Sequence, residues 1–427
     1  MKEYLKRLPE EVKDLIGLIS DTAGSAGLQV YLVGGFVRDM LLGLKNLDLD
    51  IVVEGDGIAF AKILGDKLSA KVISHKRFGT ATVAISHNLK IDIATSRKES
   101  YATPASLPLV KRSVLKDDLA RRDFTINAMA INISRNSFGQ FLDFFNGRKD
   151  LAGGAIRVLH DLSFIDDPTR MIRAVRFEQR YGFRIDPNTL KLFKQAVKRK
   201  MLEMVEPQRL RDELILLLKE NRPIRQIRRL DQLAGMRFVD PHLKLLKKDY
   251  LFLDTLEKQI IWFMDNHAQR RLLDSWLAYL IGMIDQLSLS QVKSWCKKYM
   301  FHKGQEKRIL SFKSISRKFI SELSRPEVLP AKIHGLLDPL SYEVIIAIKA
   351  KYSNSSLRWH IEDFLRVYND MRLHLTGDDL RELGMKPGPH YQMIFRKLLQ
   401  AKLNGLVKTR EEELMFVKQI KLKREKI

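Results

Sequence analysis

Tyr31-Leu-Val-Gly34-Gly35-Phe-Val-Arg38-Asp39, followed by Asn46-Leu-Asp48-Leu-Asp50-Ile-Val-Val, reads as strand, turn, helix and second strand. Two glycines at a strand end let the backbone approach a phosphate closely, and a helix starting there aims free N–H groups at it. Gly34 and Gly35 are thus candidate phosphate contacts, and Arg38, placed on the first helical turn, is a candidate partner of the same anion. Side chains alternate along a strand, so Asp48 and Asp50 share a face that Leu49 does not. Two hard oxygen donors on one face can hold Mg²⁺ between them. Asp92, in Leu89-Lys-Ile-Asp92-Ile-Ala-Thr, can add a third carboxylate from a neighbouring strand. Such a set suits two-metal nucleotidyl transfer, in which one ion activates an attacking hydroxyl and the other neutralises a triphosphate.

Outward from this stretch, the β-rich runs VYLVG, LDIVVEG, TATVAIS and LKIDIAT alternate with helical patterns as far as residue 145. From Asp166 onward, charged and Leu-rich segments follow one another at helical spacing. The expected fold class is α+β: a small mixed sheet with helices, then an all-α remainder. Turn residues near Phe145–Gly154, Asn221–Pro223 and Arg325–Pro330 divide it into a head over 1–145, a neck over 146–220, a body over 221–330 and a tail over 331–427. The 75 Lys and Arg outweigh 51 Asp and Glu, a formal charge of +24, which points to a polyanionic partner. The longest apolar run, Trp276 to Ile284, is too short to cross a bilayer, so no membrane partner is expected. MKEYLKRLPEEV lacks the apolar centre of a signal peptide, and one cysteine, Cys296, permits neither a disulfide framework nor a thiolate zinc site. A cytoplasmic location is the expectation.

Five ordered motifs carry a resemblance to a known family. They are GGFVRDMLLG with its DLD, Arg121-Arg122-Asp123-Phe-Thr-Ile-Asn127, Asp143-Phe-Phe-Asn-Gly147, Asp166-Asp167-Pro-Thr-Arg170-Met-Ile-Arg173-Ala-Val-Arg176, and Glu206-Pro-Gln-Arg209-Leu-Arg-Asp-Glu213. Together they resemble the class II tRNA nucleotidyltransferases, the CCA-adding enzymes and their bacterial poly(A) polymerase relatives. The resemblance implies a polymerase-β-like head, Mg²⁺ as cofactor, ATP and CTP as substrates and tRNA, not DNA, as partner, held at its 3′ end and elbow. It implies catalytic and metal roles for Asp48 and Asp50, ribose recognition by the segment of Arg122, Asp123 and Asn127, and base reading by the segment of Asp167, Arg170, Arg173 and Arg176. The chain has Asp166-Asp167 where the family usually has Glu-Asp, which shortens the first carboxylate only. His160-Asp161, the one His-Asp dipeptide, lacks the companions of a phosphohydrolase site.

Physical chemistry supports the base-reading segment independently. Asp167, Arg170, Arg173 and Arg176 recur every three residues and on a helix form one drifting stripe. Cytosine and adenine both present an amino donor beside a ring-nitrogen acceptor, which a carboxylate and a guanidinium complement. Ala94 to Val110 resembles the flexible loop of enzymes that add the terminal A, which disfavours a CC-only activity. His374 to Pro389 reads as two short helices joined by a turn, followed by Arg396, Lys397, Lys402, Lys408 and Arg410, and resembles the tail that grips the tRNA elbow. Full CCA addition and addition of A alone share all these motifs. A poly(A) polymerase, and an RNA-binding protein with an inactive head, are the competing readings.

Overall fold

The computed structural model describes residues 2–45, 48–86 and 89–424; Asn46 and Leu47 of the opening stretch lie outside the described residues. Two compact units emerge, one of residues 1–221 with 225–239, the other of 222–224 with 240–427.

The first unit is built on a seven-stranded mixed sheet. Its strands are β1 (Gln29–Val33), β2 (Leu49–Glu54), β3 (Lys71–His75), β4 (Thr80–Ala84) and β5 (Lys90–Thr95). A separate hairpin follows, β6 (Arg97–Ser100) and β7 (Leu109–Arg112), and then β8 (Ala130–Asn132) and β9 (Gln140–Leu142) return to the sheet. The order is β3-β4-β5-β2-β1-β8-β9. Only β2 and β5 run parallel in this sheet, and they place Asp50 opposite Asp92. β1 sits centrally, and Val30 to Val33 are all buried, as expected of a strand covered on both faces. Tyr31, Val33 and Val52 pack with Leu115, Leu119, Ala128 and Ala130, the residues that flank the Arg121–Asn127 motif, so one core fixes both.

The four strands read from sequence are β1, β2, β4 and β5. β3 escaped because it is an edge strand with four of five residues exposed and no apolar face, and β8 and β9 because three residues carry no measurable alternation. The segment read as a flexible loop, Ala94 to Val110, is largely the β6–β7 hairpin, with Arg97 opposite Arg112 and Ser100 opposite Leu109. Its tip is tied at Ala105, whose N–H donates to Ile165 O at 3.1 Å and whose carbonyl accepts from Arg209 Nη1 at 3.0 Å.

The neck segment follows with helices Thr169–Tyr181, Pro187–Lys198 and Pro207–Leu218, and the helix Ile224–Ala234 comes after it. Asp186 caps the second by accepting from Thr189 N at 3.1 Å, and Pro187 and Pro207 open their helices where a missing N–H is harmless. Thr169–Tyr181 is buried on most sides, Arg170 and Arg176 included, so its arginines need partners from the protein.

In the second unit the described residues contain helices and no strand. The apolar run at Trp276 is a core helix, Ser275–Met283, with every residue from Trp276 to Met283 buried. Among the described residues no helix is long and apolar enough to cross a membrane. The tail has a core of its own, formed by Leu375, Leu380, Ile394, Leu398, Ala401, Val407 and Val417. Thr376 caps the helix Gly377–Glu382, its N–H and hydroxyl both donating to Asp379 Oδ2, at 2.7 and 2.9 Å, and Gly384 leaves that segment with φ +75°.

Candidate active site

A cleft of about 530 Å³ opens in the first unit, lined by eight arginines against four carboxylates. Gly34, Gly35, Arg38, Asp50, Arg122, Asp123, Asn127, Asp167, Arg170, Arg173 and Arg176 all line it. These residues of three of the five sequence motifs, spread over 142 residues from Gly34 to Arg176, therefore meet in one place. Asp48 and Asp92 lie beside Asp50 rather than on the cleft wall.

The helix Gly34–Leu41 begins directly after β1. Gly34 has φ +68°, and a Cβ there would sit 2.6 Å from Arg122 Nη1 and 3.4 Å from Asp50 Oδ2. Only glycine both adopts that backbone and lets the Arg122 guanidinium pass beside Asp50. Arg38 lies one turn further along than the sequence reading placed it. It is buried, its Nη1 donates to Asn127 Oδ1 at 2.6 Å, its Nε donates to Asp39 Oδ1 at 2.8 Å, and its guanidinium lies over the rings of Phe177 and Tyr181. This arginine joins the turn to the ribose motif and to the neck.

Asp48 is exposed and precedes the first residue of β2, whereas Asp50 is half-buried within the strand. Burial, reinforced by the charges of Asp92 and Asp48 and opposed by Arg122 and Lys90, pushes the Asp50 carboxyl up to about 6. A carboxylate so crowded by its own kind fits a hard divalent cation, which would reverse the shift. Asp92, however, is engaged elsewhere: Oδ1 accepts from Thr82 Oγ1 at 2.6 Å and Oδ2 pairs with Lys90 Nζ at 2.9 Å. Among the described residues, no three of His, Cys, Asp and Glu converge as a metal-holding group.

The ribose motif is held by ion pairs. Asp118, fully buried, pairs with Arg121 at 2.7 Å and with Arg122 at 3.1 Å. Asp123 Oδ1 accepts from Phe124 N at 2.9 Å and Asn127 Nδ2 at 2.8 Å, while Oδ2 lies 2.7 Å from Arg173 Nη2. Burial works to raise the Asp123 carboxyl, but Arg173, Asn127 and Arg170 outweigh it and hold it below the usual carboxylate range.

Asp167 is not on the stripe-bearing helix. Pro168 disfavours a helical backbone in the residue before it, so Asp167 is extended, at φ −135°, and the helix starts at Thr169. From there Asp167 Oδ1 accepts from Thr169 N at 3.1 Å, Thr169 Oγ1 at 2.6 Å and Arg209 Nη2 at 2.9 Å. Arg170 donates to Ser163 Oγ at 2.7 Å and to the Arg121 carbonyl at 2.6 Å. The two side chains proposed to read a base are thus each fixed by a third party, and Asp167 keeps Oδ2 for another donor. Arg173 pairs with Asp123, and Arg176 donates to Glu213 at 3.1 Å.

Reasoning from sequence omitted Glu99, Tyr101, Arg121, Arg180 and Arg209 from the site, yet all line the cleft. Glu99 of β6 accepts from Arg97, from Arg121 at 3.0 Å and from the Tyr101 hydroxyl at 3.1 Å, which fastens the hairpin to the ribose motif. Arg209 and Arg121 had a signal, their places in the Glu206–Glu213 and Arg121–Asn127 motifs, and Glu99 and Tyr101 lie in the Ala94–Val110 segment; Arg180 had none.

Residues 30–157 match the poly A polymerase head domain, and residues 182–246 match the probable RNA and SrmB-binding site of polymerase A. The A-adding tRNA nucleotidyltransferase of Halalkalibacterium halodurans is 33% identical over 421 residues, covering 95% of this chain and 92% of that protein. The chain belongs to the tRNA nucleotidyltransferase and poly(A) polymerase family. Another member, the A-adding tRNA nucleotidyltransferase of Geobacter sulfurreducens, is 37% identical over 414 residues, which cover 96% of this chain and 47% of that protein, so the chain spans about half its length. Among solved members, the Thermotoga maritima CCA-adding enzyme complexed with tRNA(CCA) aligns at a TM-score of 0.74 and 34% identity, covering 97% of each chain.

Proposed function

We propose that this tRNA nucleotidyltransferase adds the 3′-terminal CCA, or its terminal A, to tRNA from CTP and ATP and releases pyrophosphate. The observation that carries the reading is the meeting of Asp50, Arg122 and the Asp167–Arg170 pair in one arginine-rich cleft. Asp48 and Asp50 are the proposed Mg²⁺ ligands, with Asp92 as the third carboxylate. Bound Mg²⁺ supplies activation of the primer hydroxyl and neutralisation of the triphosphate. The chain's own groups do the rest. Gly34 and Gly35 bring backbone N–H groups to the phosphates, Arg122 adds a cation beside Asp50, and Asp123 and Asn127 shape the ribose side. Asp167 Oδ2 accepts from the amino group shared by cytosine and adenine, and Arg170 faces the ring nitrogen; uracil and guanine invert both partners.

The division of labour proposed is chemistry in 1–145, base reading in 146–220, support in 221–330 and tRNA elbow binding in 331–427, in a cytoplasmic enzyme. The test offers tRNA transcripts ending before CCA, after C and after CC, with CTP and ATP supplied separately. Extension of all three marks a CCA-adding enzyme, and extension of only the last by A marks an A-adding one, the activity named for the Halalkalibacterium and Geobacter relatives. Long A tails of variable length would favour a poly(A) polymerase, and no pyrophosphate release with any substrate would overturn the reading.

A further inference from the structure

The face of the sheet that carries Asp50 also carries a cation. β5 runs parallel to β2 with Asp92 opposite Asp50, and antiparallel to β4 with Asp92 opposite Thr82. Side chains two apart on a strand share a face, so Lys90 stands beside Asp92 on the side where Asp50 lies. Lys90 Nζ takes Asp92 Oδ2 at 2.9 Å while Thr82 takes Oδ1 at 2.6 Å, so both oxygens of the third carboxylate are occupied from within the protein. Among the described residues no three-donor group converges on a metal. Three acidic side chains left together without a cation would repel one another, and like charges within a few ångströms are costly even near a surface.

We propose that Lys90 is a built-in counter-ion of the carboxylate cluster: it stabilises the metal-free protein by holding Asp92 and must give up Asp92 when a divalent cation takes the site. Lys90 thereby lowers metal affinity and positions the third carboxylate without touching nucleotide. Its side chain is 48% exposed and that of Asp92 37%, so the pair is weak enough to exchange for a divalent ion and free to swing into solvent. The inference rests on the reading of Asp48 and Asp50 as metal ligands.

The test uses Mn²⁺ as the probe on the full chain without nucleotide or RNA, with free Mn²⁺ read by electron paramagnetic resonance and the melting temperature read with and without the ion. Lys90→Met keeps the length and loses the charge; Lys90→Gln keeps a hydrogen-bond donor and serves if the first variant folds poorly. Both should bind Mn²⁺ more tightly, by roughly five- to tenfold, the scale of one part-exposed ion pair plus removal of a nearby like charge. Their metal-free melting temperatures should fall, and the gain in melting temperature on adding Mn²⁺ should exceed that of wild type. Asp50→Ala separates the two layers of argument. Wild-type binding that Asp50→Ala does not weaken overturns the metal site and this inference with it. Binding that depends on Asp50 but is equal or weaker in the Lys90 variants leaves the metal site standing and overturns the role of Lys90.

Discussion

Arg173 of the neck helix and Asp123 of the ribose motif, 50 residues apart in sequence, form an ion pair with Nη2 and Oδ2 2.7 Å apart and the carboxylate wholly enclosed. From Asp123 the contacts run through Asn127 to Arg38 and from Arg173 toward Glu213, so the neck and the phosphate-side turn are joined by polar side chains, buried at Arg38, Asn127 and Asp123 and partly exposed at Arg173 and Glu213. Removing one partner of such a pair strands the other charge, at a cost of about 3–5 kcal/mol. Arg173→Met should therefore lower the denaturation midpoint sharply, as measured by urea unfolding. The pH dependence has a definite sign. The folded Asp123 carboxyl lies below its unfolded value, so its contribution is present above the ordinary carboxylate range and is lost as pH falls through the folded value. Asp123→Asn should flatten the stability profile on that acid limb. An unchanged acid limb would show that the pair does not contribute this way.

Asp48→Ala or Asp50→Ala should abolish nucleotide transfer while leaving tRNA binding within about twofold, because RNA affinity comes from phosphate contacts spread over a basic surface. Single-turnover transfer and filter binding on the same samples decide it. Near wild-type turnover in either variant would dismiss the assigned ligands.

Gly34→Ala should be far worse for activity than for stability. A left-handed alanine costs about 1 kcal/mol, but its Cβ must also displace Arg122 Nη1, which would lie 2.6 Å away. The expected result is a loss of roughly a hundredfold or more in kcat, by analogy with removing one electrostatic stabiliser, and a modest drop in melting temperature. Gly35→Ala, where the nearest atom would be Arg38 Nη2 at 3.4 Å and the backbone is not left-handed, is the milder comparison.

Asp167→Ala should reduce discrimination among bases as well as rate. The substitution removes the acceptor for the amino group and frees Arg209, and loss of a hydrogen bond to a charged group costs about 1.5–3 kcal/mol, or one to two powers of ten. Measuring kcat/KM for all four nucleotides on the preferred tRNA end gives the answer. If the order and spread among bases are preserved while overall activity falls, Asp167 only holds Arg209 and caps the helix.

The tail's basic residues fall into two groups. Lys402 pairs with the buried Glu413 at 2.6 Å, and Arg410 pairs with Asp379. Arg396, Lys397 and Lys408 are exposed. Charge reversal at Arg396 and Lys397 should weaken tRNA binding and reduce the slope of log K against log salt by roughly one per lost phosphate contact. Lys402→Ala should instead destabilise the tail. An unaltered salt slope in the double reversal would remove this face from RNA binding.

Local rules made part of this site readable. Strand propensity put Asp50 on β2 and Asp92 on a neighbouring strand, where it faces Asp50 in register, whereas Asp48, expected by alternation to share that strand face, precedes the strand. The helical period found the arginine stripe but began it two residues too early, since Pro168 sets the helix start after Asp167. What stayed hidden was long-range: Arg209 reaches Asp167 across 42 residues, and Glu99 reaches Arg121 across 22. Neither carries a periodic signal, because an ion pair between elements depends on packing that no window of sequence contains. The β6–β7 hairpin is hidden for the same reason, since the contacts that hold its tip come from Ile165 and Arg209 and not from its own composition.

The small core from Leu375 to Val417 draws only on residues between 373 and 420. A segment with a core of its own can open locally at less cost than unfolding the whole unit, once outside ties such as Ala331 N to Asn404 Oδ1 at 2.9 Å give way. Amide exchange in the tail would then follow its own opening equilibrium, and a ligand held by the tail alone would slow exchange there without slowing it in the first unit. Substitutions among its few buried leucines would tune that opening without touching the carboxylates of the first unit's cleft.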